Sequence, residues 1–340
     1  MVKNIDHFIN NLLAGFNSNQ VRVINERFGL KTSKRATLQK IGDELGVTRE
    51  RVRQIEEQCT YKLSKKIKAE AHDFVSIANA HLVSMGGVSE DSSYIESLKN
   101  NIKTDLKNVK NADVKLRFIF LTAGTPNYSK ENDDTKAYWY ADEDSNKKFL
   151  DSVKKTTKFL ESNNKYEIIS QKTVLAEYKN PVMQKMLFIP KHLGTNVFGD
   201  FGLRSWPEIE PKTIRDKAYL VLHKHGKPLH FEEIAKSITR FGIDKKQANI
   251  QTVHNELIKD ERFVLVGRGM YALQEHGFSS GTVREVIGRL LKGNGPLASY
   301  EVVKLVSAER ILKENTILLS LQNRRHFKRL GDGRYSTKEA

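Results

Sequence analysis

The chain has one cysteine, seven prolines and 21 glycines in 340 residues. A single thiol excludes an intrachain disulfide framework and suits a reducing compartment. Cys59 lies on the inward stripe of an amphipathic pattern, so it reads as a small core residue and not a nucleophile. No apolar run approaches the roughly 18 residues of a membrane helix, and no signal peptide opens the chain. The phosphate-cradling Gly-x-x-x-x-Gly-Lys-Ser/Thr loop is missing, as is the Gly-x-Ser-x-Gly elbow. His223, His225 and His230 sit close in sequence, but no cysteine or ordered acid completes a zinc set, so surface histidines and no metal are expected. The stretch Pro207 to Lys212 contains Glu-x-Lys, but metal-dependent nucleases gather acids from separated strands. It reads as a linker. No enzyme, cofactor or small-molecule substrate is expected.

What is present is charge. The formal net charge is +16, with 29% charged residues. Such a chain is drawn to polyanions. Sparse glycine and proline favour several small, largely helical modules over one large enzyme core. The expected fold class is mainly α with small β-hairpins, a tandem array of helix-turn-helix and winged-helix modules.

Thr37 to Leu63 is the most informative segment. Leu38, Ile41 and Leu45 form one helical stripe. Gly46 follows where a helix must end in the left-handed conformation, and Gly42 leaves room for a close crossing. Thr48 suits the N-cap of a second helix, with Glu50 in its first turn favouring the helix dipole. Val47, Val52, Ile55, Cys59 and Leu63 point inward. Arg49, Glu50, Arg53 and Gln54 point outward, and these side-chain types suit guanine, cytosine and adenine edges. A helix-turn-helix lays this second helix in the DNA major groove.

The stretch from about Asn19 to Leu63 resembles region four of the housekeeping bacterial sigma factors. The resemblance rests on Arg27-Phe28-Gly29-Leu30, Thr37-Leu38, Ile41-Gly42, the run Leu45 to Glu56, and Lys62-Leu63. It implies binding to the minus-35 promoter element and docking on the flap of the RNA polymerase beta subunit. It further implies base reading by Arg49, Glu50 and Gln54. Thr48, Arg51 and Arg53 would hold phosphates or neighbouring bases. Sigma factors carry this module last, whereas here it comes near the start, so initiation in the manner of a sigma factor is not expected.

The last third repeats itself. Ala218 to Leu273 and Val283 to Ser336 each read as a helix, a glycine-proline turn (Gly226 and Pro228; Gly295 and Pro296), two further helices and a hairpin. The hairpins are Phe263 to Tyr271 and Phe327 to Tyr335, each with two turn glycines. Three helices and a hairpin make a winged helix, and the repetition strengthens the reading. The first copy is similar to the HARE-type winged-helix domain, related to that of the RNA polymerase delta subunit. The residues carrying this are Pro228 to Ala235, Thr252 to Leu257 and Met270 to Leu273. The resemblance implies a DNA- or protein-interaction module without catalysis. The second copy has the more basic wing, with Arg324, Arg325, Lys328, Arg329 and Arg334 as candidate phosphate or minor-groove contacts.

Between these ends, the recognition helix either continues or breaks into a helix near Glu70 to Ser84, closed by Gly86-Gly87. A helical pattern spans Ser93 to Lys107. The apolar run Leu116 to Leu121 and the segment Ala137 to Ala141 look like a long hairpin with a polar tip, Tyr128 to Asp134. Trp139 is expected in a core. A helix Asn146 to Asn163, further elements at Val174 to Tyr178 and Gln184 to Ile189, and two strands near Val197 to Arg204 would make another winged helix. The expected domains are 1–68 (sigma-region-four-like), 69–142 (winged helix), 143–211 (winged helix and linker), 212–276 (HARE-type) and 277–340 (second copy).

The expected function is sequence-specific binding of double-stranded DNA by a transcription regulator, in the cytoplasm and associated with the nucleoid. Two alternatives stay open: an RNA polymerase accessory protein docking on the beta flap, and a non-specific nucleoid protein.

Overall fold

The computed structural model describes every residue except 1, 3, 103–105, 107–108, 172–173, 175–180 and 339–340. It is mainly helical with short antiparallel hairpins. The chain divides into two compact units, Met1–Gly194 with Phe201–Arg204, and Thr195–Asp200 with Ser205–Ala340.

The first unit opens with α1 (Ile5–Leu13), α2 (Ser18–Phe28), α3 (Leu38–Leu45) and α4 (Arg49–Glu70). Each start is capped by its sequence. The Asn4 side chain accepts from His7 N at 2.9 Å, and Asn17 and Gln20 form a reciprocal capping box. Helix α4 ends at Ala71, and α5 (His72–Ser84) begins at once. Ile5, Leu12, Ile24, Cys59, Leu63 and Ile67 are fully buried, and they share one core with Phe74, Leu82, Leu116, Phe118 and Phe120. The boundary expected at residue 68 therefore does not separate two cores. Burial of an apolar face is what stabilises a short helix, and here α4 and α7 (Ala112–Ala123) supply faces to each other.

That helix corrects the expectation of a strand at Leu116 to Leu121. A short continuous apolar run satisfies both periodicities. Here Leu116, Phe118, Ile119 and Phe120 are all at most 1% exposed, so α7 is covered on more than one face. Gly124, at φ 73°, ends it. The hairpin lies after it, as β2 (Asn127–Ser129) and β3 (Tyr138–Tyr140). With β1 (Val88–Glu90) and α6 (Asp91–Asn101), the order α5–β1–α6–α7–β2–β3 and the sheet order β1-β3-β2 have winged-helix topology. Trp139 is fully buried, and its indole N–H donates to Asp91 Oδ1 at 2.7 Å. The same carboxylate receives Arg117 Nε at 2.8 Å.

Helix α8 (Glu143–Ser162), capped by Asp142, brings Phe149 into a core with Val88, Tyr138, Met186 and Ile189. The expected boundary at residue 142 is thus crossed by a core as well. Helices α9 (Lys165–Gln171) and α10 (Pro181–Met186) follow, then the strands β4 (Leu193–Thr195) and β5 (Phe201–Leu203). Gln184 to Ile189 thus begins in a helix. The expected element at Val174 to Tyr178 lies, apart from the buried Val174, outside the described residues.

The second unit holds the repeat. The expected linker at Pro207 to Lys212 is partly folded in: Glu208 and Ile209 are 3% and 4% exposed, and Asn196 Nδ2 donates to the Glu208 carbonyl at 2.9 Å. The first copy runs α11 (Ile214–His225), β6 (Leu229–His230), α12 (Phe231–Arg240), α13 (Ile250–Lys259), β7 (Phe263–Gly267) and β8 (Met270–Leu273). Its sheet order is β6-β8-β7, the arrangement seen in the first unit. The second copy runs α14 (Val283–Asn294), α15 (Ser299–Glu309), α16 (Glu314–Leu321), β9 (Phe327–Arg329) and β10 (Tyr335–Thr337). Leu297 takes the place of its first strand, exchanging backbone bonds with Tyr335 at 3.1 and 2.8 Å. Each copy has its own core. They touch where Ile311 N donates to Val266 O at 2.7 Å, and a Cβ on Gly267 would meet the Ile311 carbonyl at 2.7 Å.

Candidate nucleic-acid interface

The helix-turn-helix is built by local rules. Thr37 Oγ1 accepts from Lys40 N at 3.1 Å and starts α3. Gly46, at φ 67°, ends it, and Val47 N returns to Gly42 O at 2.9 Å. Thr48 Oγ1 accepts from Arg51 N at 3.2 Å and starts α4. A Cβ on Gly42 would stand 2.7 Å from Val47 O, so this glycine makes room for the turn's backbone. Val23 of α2, Ile41 of α3 and Val52 of α4 pack together with no exposed surface. From the side, Arg27 donates to Glu56 at 2.9 Å and to the Ala36 carbonyl at 2.7 Å. Packing and hydrogen bonds thus hold the scaffold under the first turn of α4 from two sides.

On that scaffold Thr48, Arg49, Glu50, Arg51, Arg53 and Gln54 follow one another along the start of α4, broken only by the buried Val52, and all six are exposed. They are not equally free. Arg53 chelates Glu50 through bonds of 2.7 and 2.9 Å and also pairs with Glu57. Arg51 Nη1 donates to Gln54 Oε1 at 3.3 Å. The hydrogen bonds from Arg53 hold the Glu50 carboxyl below its ordinary value, with the nearby charges of Arg53 and Arg49 adding to the pull. The same contact raises Arg53. Among the described residues, no hydrogen bond or ion pair holds the Arg49 guanidinium.

The five cations expected on the last wing divide. Arg324, Lys328 and Arg329 line one open basin of about 660 Å³, joined by Lys338, with no acidic side chain among the lining residues. Arg325 is exposed. Arg334 instead pairs with Asp332, Nε to Oδ2 at 2.7 Å, which holds that carboxyl low. Lys338 was not anticipated from sequence; its place follows from Lys338 N closing onto His326 O at 2.9 Å. Lys31, Lys34, Arg35 and Lys40 are also exposed, on the approach to and along α3.

The three winged helices differ in what their third helix offers. In the first unit α7 is buried, and Phe28 meets Phe118 edge-on at 4.8 Å. In the first repeat copy α13 carries Gln251 and Asn255 beside Ile250 and Ile258, the latter 63% exposed. Of the histidines close in sequence and expected at the surface, His230 packs on Phe231, ring centroids 4.4 Å apart, while His223 meets Glu275 and His276.

Comparison with known proteins agrees with these geometries. Residues 12–65 match the sigma-70 region 4 family. Residues 212–276 match the HARE-HTH family, a helix-turn-helix domain described from ASXL and restriction endonuclease proteins. The sigma-type module is also similar to the RNA polymerase sigma factor sigB of Arabidopsis thaliana, 41% identical over 58 residues. That match covers 17% of this chain and 10% of the relative, so the chain spans about a tenth of the sigma factor's length. Both matched families are helix-turn-helix types, and together they support a DNA-binding role. No helix among the described residues is long and apolar enough to cross a membrane.

Proposed function

We propose that this chain is a sequence-specific double-stranded DNA-binding protein that regulates transcription, reading a minus-35-like element through α4. Arg49, Glu50 and Gln54 read base edges in the major groove, while Thr48, Arg51 and Arg53 hold phosphates or adjoining bases. The observation that carries this reading is the exposed first turn of α4, set on a turn with room for glycine alone at residue 42. The acid-free basin of the last wing gives a second grip on phosphates through Arg324, Lys328 and Arg329. Modules tethered on one chain raise affinity through effective concentration. Domains 1–68 and 69–142 would then act as one body, followed by 143–211, 212–276 and 277–340.

A second reading is an RNA polymerase accessory protein whose sigma-like module docks on the beta flap and whose winged domains modulate promoter complexes; the exposed Ile250 and Ile258 on α13 favour a protein partner for that winged domain. Mobility-shift titration separates the two. Arg49→Ala or Gln54→Ala should cost roughly 1–3 kcal/mol at the base concerned and relax preference there. Equal weakening on all duplexes, with co-purification of polymerase after nuclease treatment, would favour docking.

A further inference from the structure

We infer that His223, Glu275 and His276 form a binding site for one divalent ion of the zinc class. His223 lies in the last turn of α11, and Glu275 and His276 lie in the 3-10 turn Gln274–His276 directly after β8. One ligand atom from each falls within 4.8 Å of the others. Tetrahedral bonds of about 2.0–2.2 Å to zinc set ligand atoms roughly 3.3 Å apart, so His276 would draw in while His223 Nδ1 and Glu275 Oε1, now 2.6 Å apart, would open around the ion. The side chains are 18–32% exposed, which leaves room for that rotation.

The surroundings favour a ligand set over a chance meeting. Glu275 Oε1 lies 2.6 Å from His223 Nδ1, and Oε2 accepts from the Tyr219 hydroxyl at 2.7 Å. The phenol thus orients the carboxylate from outside, as partners of metal ligands do. His276 Nε2 stands 3.9 Å from Glu275 Oε1, and among the described residues its buried Nδ1 has no hydrogen-bond partner. Two imidazoles and a carboxylate suit zinc, cobalt, nickel or copper, with a position left for water. An ion there would staple the first helix of the HARE-type module to the exit of its wing.

The test uses the full chain, loaded first with Co²⁺ and then with Zn²⁺. Cobalt should give visible ligand-field bands at one equivalent per chain, displaced by zinc, and zinc should raise the melting temperature by mass action. His276→Ala and Glu275→Gln should each weaken binding at least about tenfold. His225→Ala, on the same helix as His223 but outside the cluster, should leave binding unchanged. Should a variant not fold, the wild-type cobalt spectrum decides alone. No bands at one equivalent, or affinity unmoved by both ligand substitutions in folded protein, would overturn the assignment.

Discussion

The carbonyl oxygen of Val47 stands 2.7 Å from where a Cβ on Gly42 would sit, and Arg49 N stands 3.4 Å from it. The turn that aims α4 is therefore closed over a glycine. Gly42→Ala should force the turn open and cost about 1–3 kcal/mol in chemical denaturation, the range for overpacking a tight site. Duplex affinity should fall with it. Gly46 has nothing within 4 Å and needs only its left-handed φ. Gly46→Asn should therefore cost less. Equal stability of Gly42→Ala and wild type would refute the close approach.

Glu57 holds one end of Arg53 in the free protein, and both side chains are exposed. Glu57→Gln should weaken the hold on one end of that arginine, leaving its pair with Glu50, and remove a charge that repels phosphate. Stability should change by no more than about 0.5 kcal/mol. Non-specific affinity should rise and its salt dependence steepen, read as the slope of log K against log salt.

The shared core of the first unit makes a cooperative claim. Phe118→Ala, in a helix expected from sequence to be a strand, should cost about 3–5 kcal/mol. It should lower the stability of the helix-turn-helix and the adjoining winged helix together, as a single shift in their hydrogen-exchange protection. Separate responses would restore the boundary at residue 68.

An acid limit belongs to the HARE-type module. Hydrogen bonds from Arg262 hold the Asp260 carboxyl below its ordinary value, against burial. A depressed folded-state pKa contributes stability that is complete above the unfolded value, about 3.9. It is lost as the pH falls through the folded value. Denaturation of wild type and Asp260→Asn should differ most at neutral pH, and the gap should close below about pH 3.9. A gap that widens on acidification would reverse the sign.

Legibility followed the range of the interactions. Thr37, Gly42, Gly46 and Thr48 act within a few residues, so the turn and the outward face of α4 could be read directly. The two repeat copies were legible for the same reason, through their turn glycines. Leu116 to Leu121 was not, because its helix is chosen by packing against α4, some 50 residues away in the chain. Glu275 stands 52 residues from His223. No spacing rule joins them; the fold does. The pinning of Arg53 by Glu50 and Glu57 was within reach of an i, i+3 and i, i+4 reading.

Selection of bound sequences from a random duplex pool, run with wild type and Arg49→Ala, tests the central claim most directly. The account predicts one recurrent minus-35-like motif for the wild type and lost preference at a single position for the variant. A wild-type pool without any motif would contradict it.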